Sequence, residues 1–347
     1  MFRILVGGAG GAPANNFIRS LKASGEFYII GTTSNKFDLY KSLANESYLI
    51  PEARSENYLT SFEKILDRTS PDFVYPSHDF EVEKLSDNRK ILESKNVKYF
   101  FPKAETVRSC VDKSVTAKIW INSDIKVPDT IIVNNENDLS EHLKKYGKVW
   151  LRLKEGGGGY GAVIASSLKF GTEWINFFNG WGNFTAANVL TPRSVTWSSI
   201  WKDGELIVAQ GRERLSWAYS SRTLSGVTGI TGAAKTISNQ IVDDVALAAI
   251  KAVDPSPNGI FSVDLTYDQS GIPNPTEINI GRFFTTIDFF TRLGLNMPYI
   301  FVMIGLGMIN NVTLPSKRIN PLTPGKCWLR SMDIEPVLMD CSALEAF

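Results

Sequence analysis

The segment FSVDLTYDQSGIPNPTEINIGR, residues 261–282, concentrates oxygen-bearing side chains around a turn. Two β-rich runs flank Asp268-Gln269-Ser270-Gly271, and a hairpin symmetric about Ser270 and Gly271 sets Asp264 opposite Glu277. The two-residue period of a strand then puts Asn279 on the face of Glu277. Like charges directly opposed destabilise a hairpin, so the pair needs a cation, a proton or an arginine partner. Hard oxygen ligands of this kind suit Mg²⁺, which commonly holds on through one or two carboxylates and substrate phosphates. The alternative is structural: an ion pair with Arg282, or a strand-edge cap.

A second chemical segment is VWLRLKEGGGGYGAV, residues 149–163. Two strands enclose Gly156, Gly157, Gly158 and Gly159, and the leading strand carries Arg152 and Lys154 two residues apart, on one face. Such a loop can lie over a polyphosphate while the two cations neutralise it; the alternative is a flexible hairpin tip. Substrate contacts come from two further pairs. Arg212 and Arg214 in AQGRERLSW alternate onto one strand face as a carboxylate fork, and Asp79 with Glu81 can accept an ammonium group. A solvated strand face and ordinary helix N-terminal charges are the competing explanations. The small-residue stretch SGVTGITGAAK, Ser225–Lys235, either approaches a substrate or is a loop. GGAGGAP, Gly7–Pro13, sits between a strand and a helix, but Pro13 occupies the third glycine position of a dinucleotide fingerprint and no ribose-binding acid follows the next strand.

These residues have to be positioned by an α/β scaffold. Over the first hundred residues, strands at Arg3–Val6, Phe27–Gly31, Tyr48–Ile50, Phe73–Pro76 and Tyr99–Phe101 alternate with helices at Asn16–Ser24, Glu56–Arg68 and Glu81–Lys95, the pattern of a parallel sheet. Helices at Asp112–Asn122 and Glu136–Tyr146 lead to strands Lys148–Lys154 and Ala162–Ser166; the remainder reads mainly as antiparallel sheet with turns at Lys202–Gly204 and Asp268–Gly271. Trp197, Trp201, Phe283, Phe284, Phe289 and Phe290 are core candidates, and Leu344–Phe347 is expected to fray.

Composition narrows the chemistry further. The 347 residues carry 37 Lys+Arg against 36 Asp+Glu, a net charge of +1, which removes the overall attraction a nucleic-acid or anionic-membrane binder relies on. Two histidines, His78 and His142, make a histidine metal site or a Ser-His-Asp triad improbable. Cys110, Cys327 and Cys341 form no CxxC pair and leave one odd, so no disulfide framework is expected. The start, MFRILVGGAGG, is not a secretory leader, and the longest apolar run, Ile300–Ile309, is interrupted by Gly305 and Gly307. The expectation is a soluble cytoplasmic protein that acts on small molecules.

The order of these motifs resembles the ATP-grasp superfamily, in the branch near the carbamoyl phosphate synthase large subunit and the carboxylate–amine ligases. PSHDFEVEKLSDNRKILES (76–94) is similar to the end of a pre-ATP-grasp domain, CVDKSVTAKIW and KVPDT to the helix entering the small lid, ANVL (187–190) to the hinge that reads adenine, and WSSIWKDGELI to the following hairpin. The resemblance implies an N-terminal Rossmann-like pre-ATP-grasp domain at 1–111, linker helices and lid at 112–187, and a large ATP-grasp lobe with tail at 188–347, with mixed and antiparallel sheets. It implies nucleotide contacts at Lys113, Arg152, Lys154, Gly156–Gly159, Val189, Leu190 and Ser194, metal ligands at Asp264, Glu277 and Asn279, and catalytic roles for Asn279 and Arg282. Two departures stand out. Ser194 replaces the acid that usually holds the ribose, and the usual Glu-x-Asn-Pro-Arg becomes EINIGR, moving the arginine one place along behind Gly281. The implied activity is an ATP-dependent ligase that joins a small-molecule carboxylate to an amine through an acyl phosphate, using ATP and two Mg²⁺, with Mn²⁺ as a substitute. Homo-oligomers are compatible with this, and a kinase on the same fold or a non-catalytic nucleotide-binding module are the alternatives.

Overall fold

A computed structural model of the chain describes residues 1–332 and 337–344. Strands β1 (Phe2–Val6), β2 (Phe27–Thr33), β3 (Glu46–Leu49), β4 (Phe73–Tyr75) and β5 (Lys98–Tyr99) form a parallel sheet in the order β3-β2-β1-β4-β5. FRILV and FYII are apolar on both faces because both are covered. Ile4, Val6 and Ile29 pack on α1 (Ala12–Lys22); Leu5 and Ile30 face α3 (Tyr58–Thr69), which follows the short α2 (Lys36–Lys41). Strand order reverses between β1 and β4, so the loops after these two strands open onto one crevice.

The single helix expected over Glu81–Lys95 is two, α4 (Asp79–Asp87) and α5 (Lys90–Ser94). Asn88 leaves helical geometry at φ −117°, and its amide donates to the Lys84 carbonyl at 2.8 Å, ending the first helix. Helix α6 (Ala104–Val111) is unannounced by the residue pattern; Asp112 then caps α7 (Lys113–Asn122), accepting from the Ser114 amide at 2.8 Å.

A second sheet is antiparallel, in the order β6-β9-β7-β8, built from β6 (Thr130–Val133), β7 (Val149–Leu153), β8 (Val163–Ala165) and β9 (Phe184–Asn188). Helices α8 (Glu136–Tyr146) and α9 (Leu168–Phe177) cover one face over Leu139, Leu151 and Ile175. The third sheet, also antiparallel, runs β14-β13-β10-β11-β12-β15-β16. Its strands are β10 (Ser194–Lys202), β11 (Glu205–Trp217), β12 (Thr231–Ile237), β13 (Gly259–Tyr267), β14 (Pro273–Ile280), β15 (Lys326–Leu329) and β16 (Val337–Asp340). α10 (Gln240–Val253), with α6 and α7, buries Val195, Trp197, Val263 and Ile278 on one face. The six core aromatics expected from the sequence are 0–4% exposed. Phe283, Phe289 and Phe290 join α11 (Asp288–Arg292) and α12 (Met297–Gly305) in the core that locks the third sheet to the first.

The thiol expectation is corrected: Cys327 and Cys341 form a disulfide, leaving Cys110 as the free, buried cysteine. The β15–β16 pairing folds the 14-residue separation back on itself and brings the two Cα atoms to 5.2 Å, within bridging range. Within the expected fraying segment, residues 345–347 lie outside the described residues. No described helix is long and apolar enough to cross a membrane.

Candidate functional site

The uncovered faces of the second and third sheets, together with the two loops at the crevice of the first, enclose a cavity of about 710 Å³. Strand register decides what points into it. Asp264 lies opposite Glu277 as expected, but by way of a bulge. Next to the turn Tyr267, Thr266 and Leu265 pair with Pro273, Asn274 and Pro275, a register that would set Asp264 against Thr276, and the shift at Thr276 moves it to Glu277. The same lateral row continues through Thr196 to Arg212. Directly paired antiparallel residues share a face, so four strands present Glu277, Asp264, Thr196 and Arg212 side by side. The adjoining rows add Asn279 on one side and Ser194 with Arg214 on the other. The second sheet faces them with an apolar row, Ile164, Trp150 and Ala187, again directly paired. Val127, Pro128, Val189 and Leu190 complete a flat apolar slot, suited to a planar ring system.

The carboxylates are held at ion-pair distance and are not consumed. Glu277 Oε2 is 3.7 Å from Lys113 Nζ and 3.6 Å from Arg152 Nη1, and it receives no direct hydrogen bond among the described residues. Asp264 accepts from the Thr196 hydroxyl and from Asn279 Nδ2 at 3.1 Å, with Arg214 Nη2 at 3.8 Å. Burial lowers the pKa of Lys113 and of Arg152, against the opposing pull of Glu277. Arg152 also crosses between sheets, donating from Nη2 to the Thr276 carbonyl at 2.8 Å.

The glycine loop closes over this group. Gly158 and Gly159 have φ of +69° and +74°. A Cβ on Gly159 would meet the Val227 carbonyl oxygen at 2.7 Å, so the tetraglycine packs against the Ser225–Gly229 loop with no room for side chains. The amides of Gly157, Gly158 and Gly159 donate to nothing among the described residues. Lys113 Nζ donates to the Gly156 carbonyl, and Arg54 holds Glu155 at 2.6 Å, tying the loop to the first sheet's side of the cavity.

Arg282, one place further along than the resemblance implies, lines the same cavity. Gly281 at φ +68° turns the chain so that Arg282 Nη2 donates to Asn279 Oδ1 at 2.6 Å and to Asp79 Oδ2 at 3.0 Å. Burial opposes the charge on both partners, but each holds the other ionised: Asp79 below and Arg282 above its usual range.

Not every candidate arrives. Lys154 follows the end of β7, its amide donating to Asn183 and its carbonyl accepting from Lys113, and it is off the cavity wall. Asp79 and Glu81 do not form one ammonium site. Asp79 is committed to Arg282, whereas Glu81, two helical residues on, points behind the cavity to the Tyr58 hydroxyl at 2.8 Å and to Gly7. Desolvation pushes Glu81 up to about 7. Arg212 and Arg214 share a face but split their contacts: Arg214 donates to Ser194 Oγ at 2.6 Å and stacks 3.7 Å over Trp217, while Arg212 runs deeper, to Thr231. Ser194, expected to replace a ribose-holding acid, is engaged by a cation. Thr196, Trp150, Ile164 and His78 line the cavity without having been singled out by the sequence. For Thr196 the signal was present in the alternation of SVTWSS, which puts it on the face of Ser194; for the others it was not.

Among the described residues no cluster of three His, Cys, Asp or Glu exists. Two carboxylates and an amide are instead a donor set for Mg²⁺ that takes its remaining oxygens from phosphate and water, and the unbonded Glu277 fits that role. Lys113, Arg152, Arg212, Arg214 and Arg282 outnumber Asp79, Asp264 and Glu277 on the cavity and its side recess, a surplus of two cations that suits a polyanion.

No protein-family model and no curated protein sequence matches the chain. Solved structures do match in fold. Biotin carboxylase from Campylobacter jejuni superposes at TM-score 0.68 with 17% identity, over 94% of this chain and 74% of that one. N5-carboxyaminoimidazole synthetase from Staphylococcus aureus, complexed with ADP, gives 0.69 with 14% identity, over 95% and 82%. L-amino acid ligase from Bacillus licheniformis gives 0.67 with 10% identity, over 94% and 79%. At these identities the likeness is one of architecture, and that architecture is the ATP-grasp fold expected from the motif order.

Proposed function

We propose that the protein is an ATP- and Mg²⁺-dependent ligase that activates a carboxylate as an acyl phosphate and transfers the acyl group to an amine. The observation that carries this reading is the register-locked row Glu277–Asp264–Thr196–Arg212 beneath a glycine loop, beside an apolar slot of planar shape. The base would occupy the slot between Trp150 and Leu190, and the phosphates would extend under the amides of Gly157–Gly159 to Lys113 and Arg152. Asp264, Glu277 and Asn279 would hold Mg²⁺, two ions in our reading, which neutralises phosphate charge when bound.

The barrier is electrostatic: a carboxylate must approach a triphosphate. Arg282 and Arg214, on either side of the carboxylate ligands, bring the acceptor in. A carboxylate oxygen attacks the γ-phosphorus and ADP leaves; the amine nitrogen then attacks the carbonyl carbon, phosphate departs, and the nitrogen gives up a proton. Positioning and charge supply most of the catalysis, which fits a cavity whose one histidine, His78, has its pKa lowered by burial against the pull of Asp79. The closed glycine loop keeps water from the acyl phosphate. The ADP- and ATP-analogue-bound states named for the structural neighbours support nucleotide binding in this fold.

The test is an ADP-release screen over carboxylates and amines with Asp264→Asn as control. ADP formed only when both are present, and lost by at least about 100-fold in the variant, is the expected result. ADP with a phosphorylated acceptor and no amine dependence would make the protein a kinase; saturable Mg-ATP binding without turnover would make it a binding module.

A further inference from the structure

Arg212 is the most deeply buried cation of the cavity, at 2% exposure, yet it has no carboxylate partner among the described residues. Its Nη1 donates to Thr231 Oγ1 at 3.1 Å, its guanidinium lies 4.5 Å over the Phe284 ring, and its buried Nε donates to nothing. Arg214, two residues on, is by contrast fully engaged by Ser194, Thr231 and Asp264. A third arginine, Arg330 just past the end of β15, braces two residues of this wall without itself lining the cavity. Arg330 Nε donates to the Thr231 carbonyl at 2.8 Å and Nη1 to the Thr285 carbonyl at 3.1 Å, while its buried Nη2 is unpaired. Thr231 and Thr285 both line the cavity. Three guanidiniums therefore reach Thr231, Arg212 and Arg214 at its hydroxyl and Arg330 at its carbonyl, and Arg212 and Arg330 each keep an unused N–H.

A buried guanidinium without a counter-ion is costly, and these two show it. Burial, reinforced by Arg214, drives Arg212 well below its usual range; burial, reinforced by Arg19, brings Arg330 down to about 10. The reacting end of the site supplies the missing charge only at a distance, through Asp264. Asp264 lies two strands away in the row, about 10 Å at the backbone, and is already shared by Thr196, Asn279 and Arg214.

We propose that Arg212, backed by Arg330 across Thr231, forms a subsite for a second anionic group of the acceptor, so that the acceptor is a dianion. Its reacting carboxylate lies at the Asp264–Arg282 end and its second carboxylate or phosphate at Thr231. This rests on the ligase reading and names its substrate class. A planar fork of N–H donors matches either oxyanion, and a monocarboxylate in the same cavity would leave both guanidiniums unpaired.

The experiment is calorimetric binding of matched acids to the full chain loaded with Mg²⁺ and a non-hydrolysable ATP analogue. Butyrate is compared with succinate, valerate with glutarate, and propionate with 3-phosphonopropionate, the last pair separating phosphate-type from carboxylate-type recognition. At least one dianion should bind about tenfold or more tighter than its monoanionic counterpart. Arg212→Gln and Arg330→Gln should each abolish that preference. A panel in which no dianion outperforms its counterpart, or a preference that survives both substitutions, overturns the subsite. Should Arg212→Gln fail to fold, the wild-type panel and Arg330→Gln still decide. Binding of the Mg-analogue alone, titrated separately, reports on the nucleotide reading; its failure would sink that reading while the acid panel run without nucleotide still judges the subsite.

Discussion

Replacing Glu277 by Gln should change the sign of its effect on nucleotide binding according to whether magnesium is present. In the free protein the carboxylate sits 3.7 Å from Lys113 Nζ and 3.6 Å from Arg152 Nη1. At an effective dielectric of about 20, each pair is worth roughly 4–5 kcal/mol in gross Coulomb energy. Desolvation offsets most of that, so the variant should lose about 1–3 kcal/mol of stability and melt a few degrees lower. In EDTA, however, the two cations are released to the phosphates, and free ATP should bind tighter by about 1 kcal/mol, roughly fivefold. With Mg²⁺ the order reverses. On the proposed reading one of the two carboxylates that would hold Mg²⁺ is gone, and turnover should fall by about 10²–10³, or 3–4 kcal/mol of transition-state stabilisation. Titration calorimetry of ATP in EDTA and in excess Mg²⁺, with ADP release in excess Mg²⁺, reads the two arms. A fall in ATP affinity that is equal with and without Mg²⁺ would refute the reasoning, because it would make Glu277 a structural ion-pair partner and nothing more.

Two further outcomes follow from groups outside the reacting centre. Glu81 titrates at about 7 in the fold against an ordinary value of 4.5, so its contribution to stability is complete below about pH 4.5 and is lost as pH rises through 7. Between pH 5 and pH 8, urea unfolding should show wild type losing on the order of 3 kcal/mol relative to Glu81→Gln; a difference that stays constant across that range would remove the buried acid from the account. Unfolded without reductant, the chain should yield one reactive thiol, from Cys110, and after reduction three. Three thiols before reduction would dispose of the Cys327–Cys341 bond.

Reading the site from the sequence worked where the geometry is local. A tight turn fixes the register of a hairpin to within a residue, and the last residue of the Asp264–Glu277 pairing comes from a bulge at Thr276. The adjacency of Arg152 to the tetraglycine is covalent in origin. The reading failed where helix and strand faces had to be assigned without neighbours. Asp79 and Glu81 look equivalent in HDFEVE, but a helix turns about 100° per residue, so one meets Arg282 and the other is buried against Gly7. Lys154 looked equivalent to Arg152 until the strand ended between them. Glu81–Lys95 scanned as one helix because apolar spacing does not register the break at Asn88.

The sequence alone determined the parallel sheet, the carboxylate hairpin, the glycine loop and the polar alternation of β10 and β11, since each is a pattern of period two, period 3.6 or a turn within a few residues. Tertiary structure decided which charges meet. Arg282 finds Asp79 across 203 residues, Arg152 reaches the Thr276 carbonyl across 124, and Arg212 and Arg330 converge on Thr231. No local propensity encodes those encounters; they follow from burying three sheets against one another, which leaves the polar rows of the third facing the apolar row of the second across a single cavity.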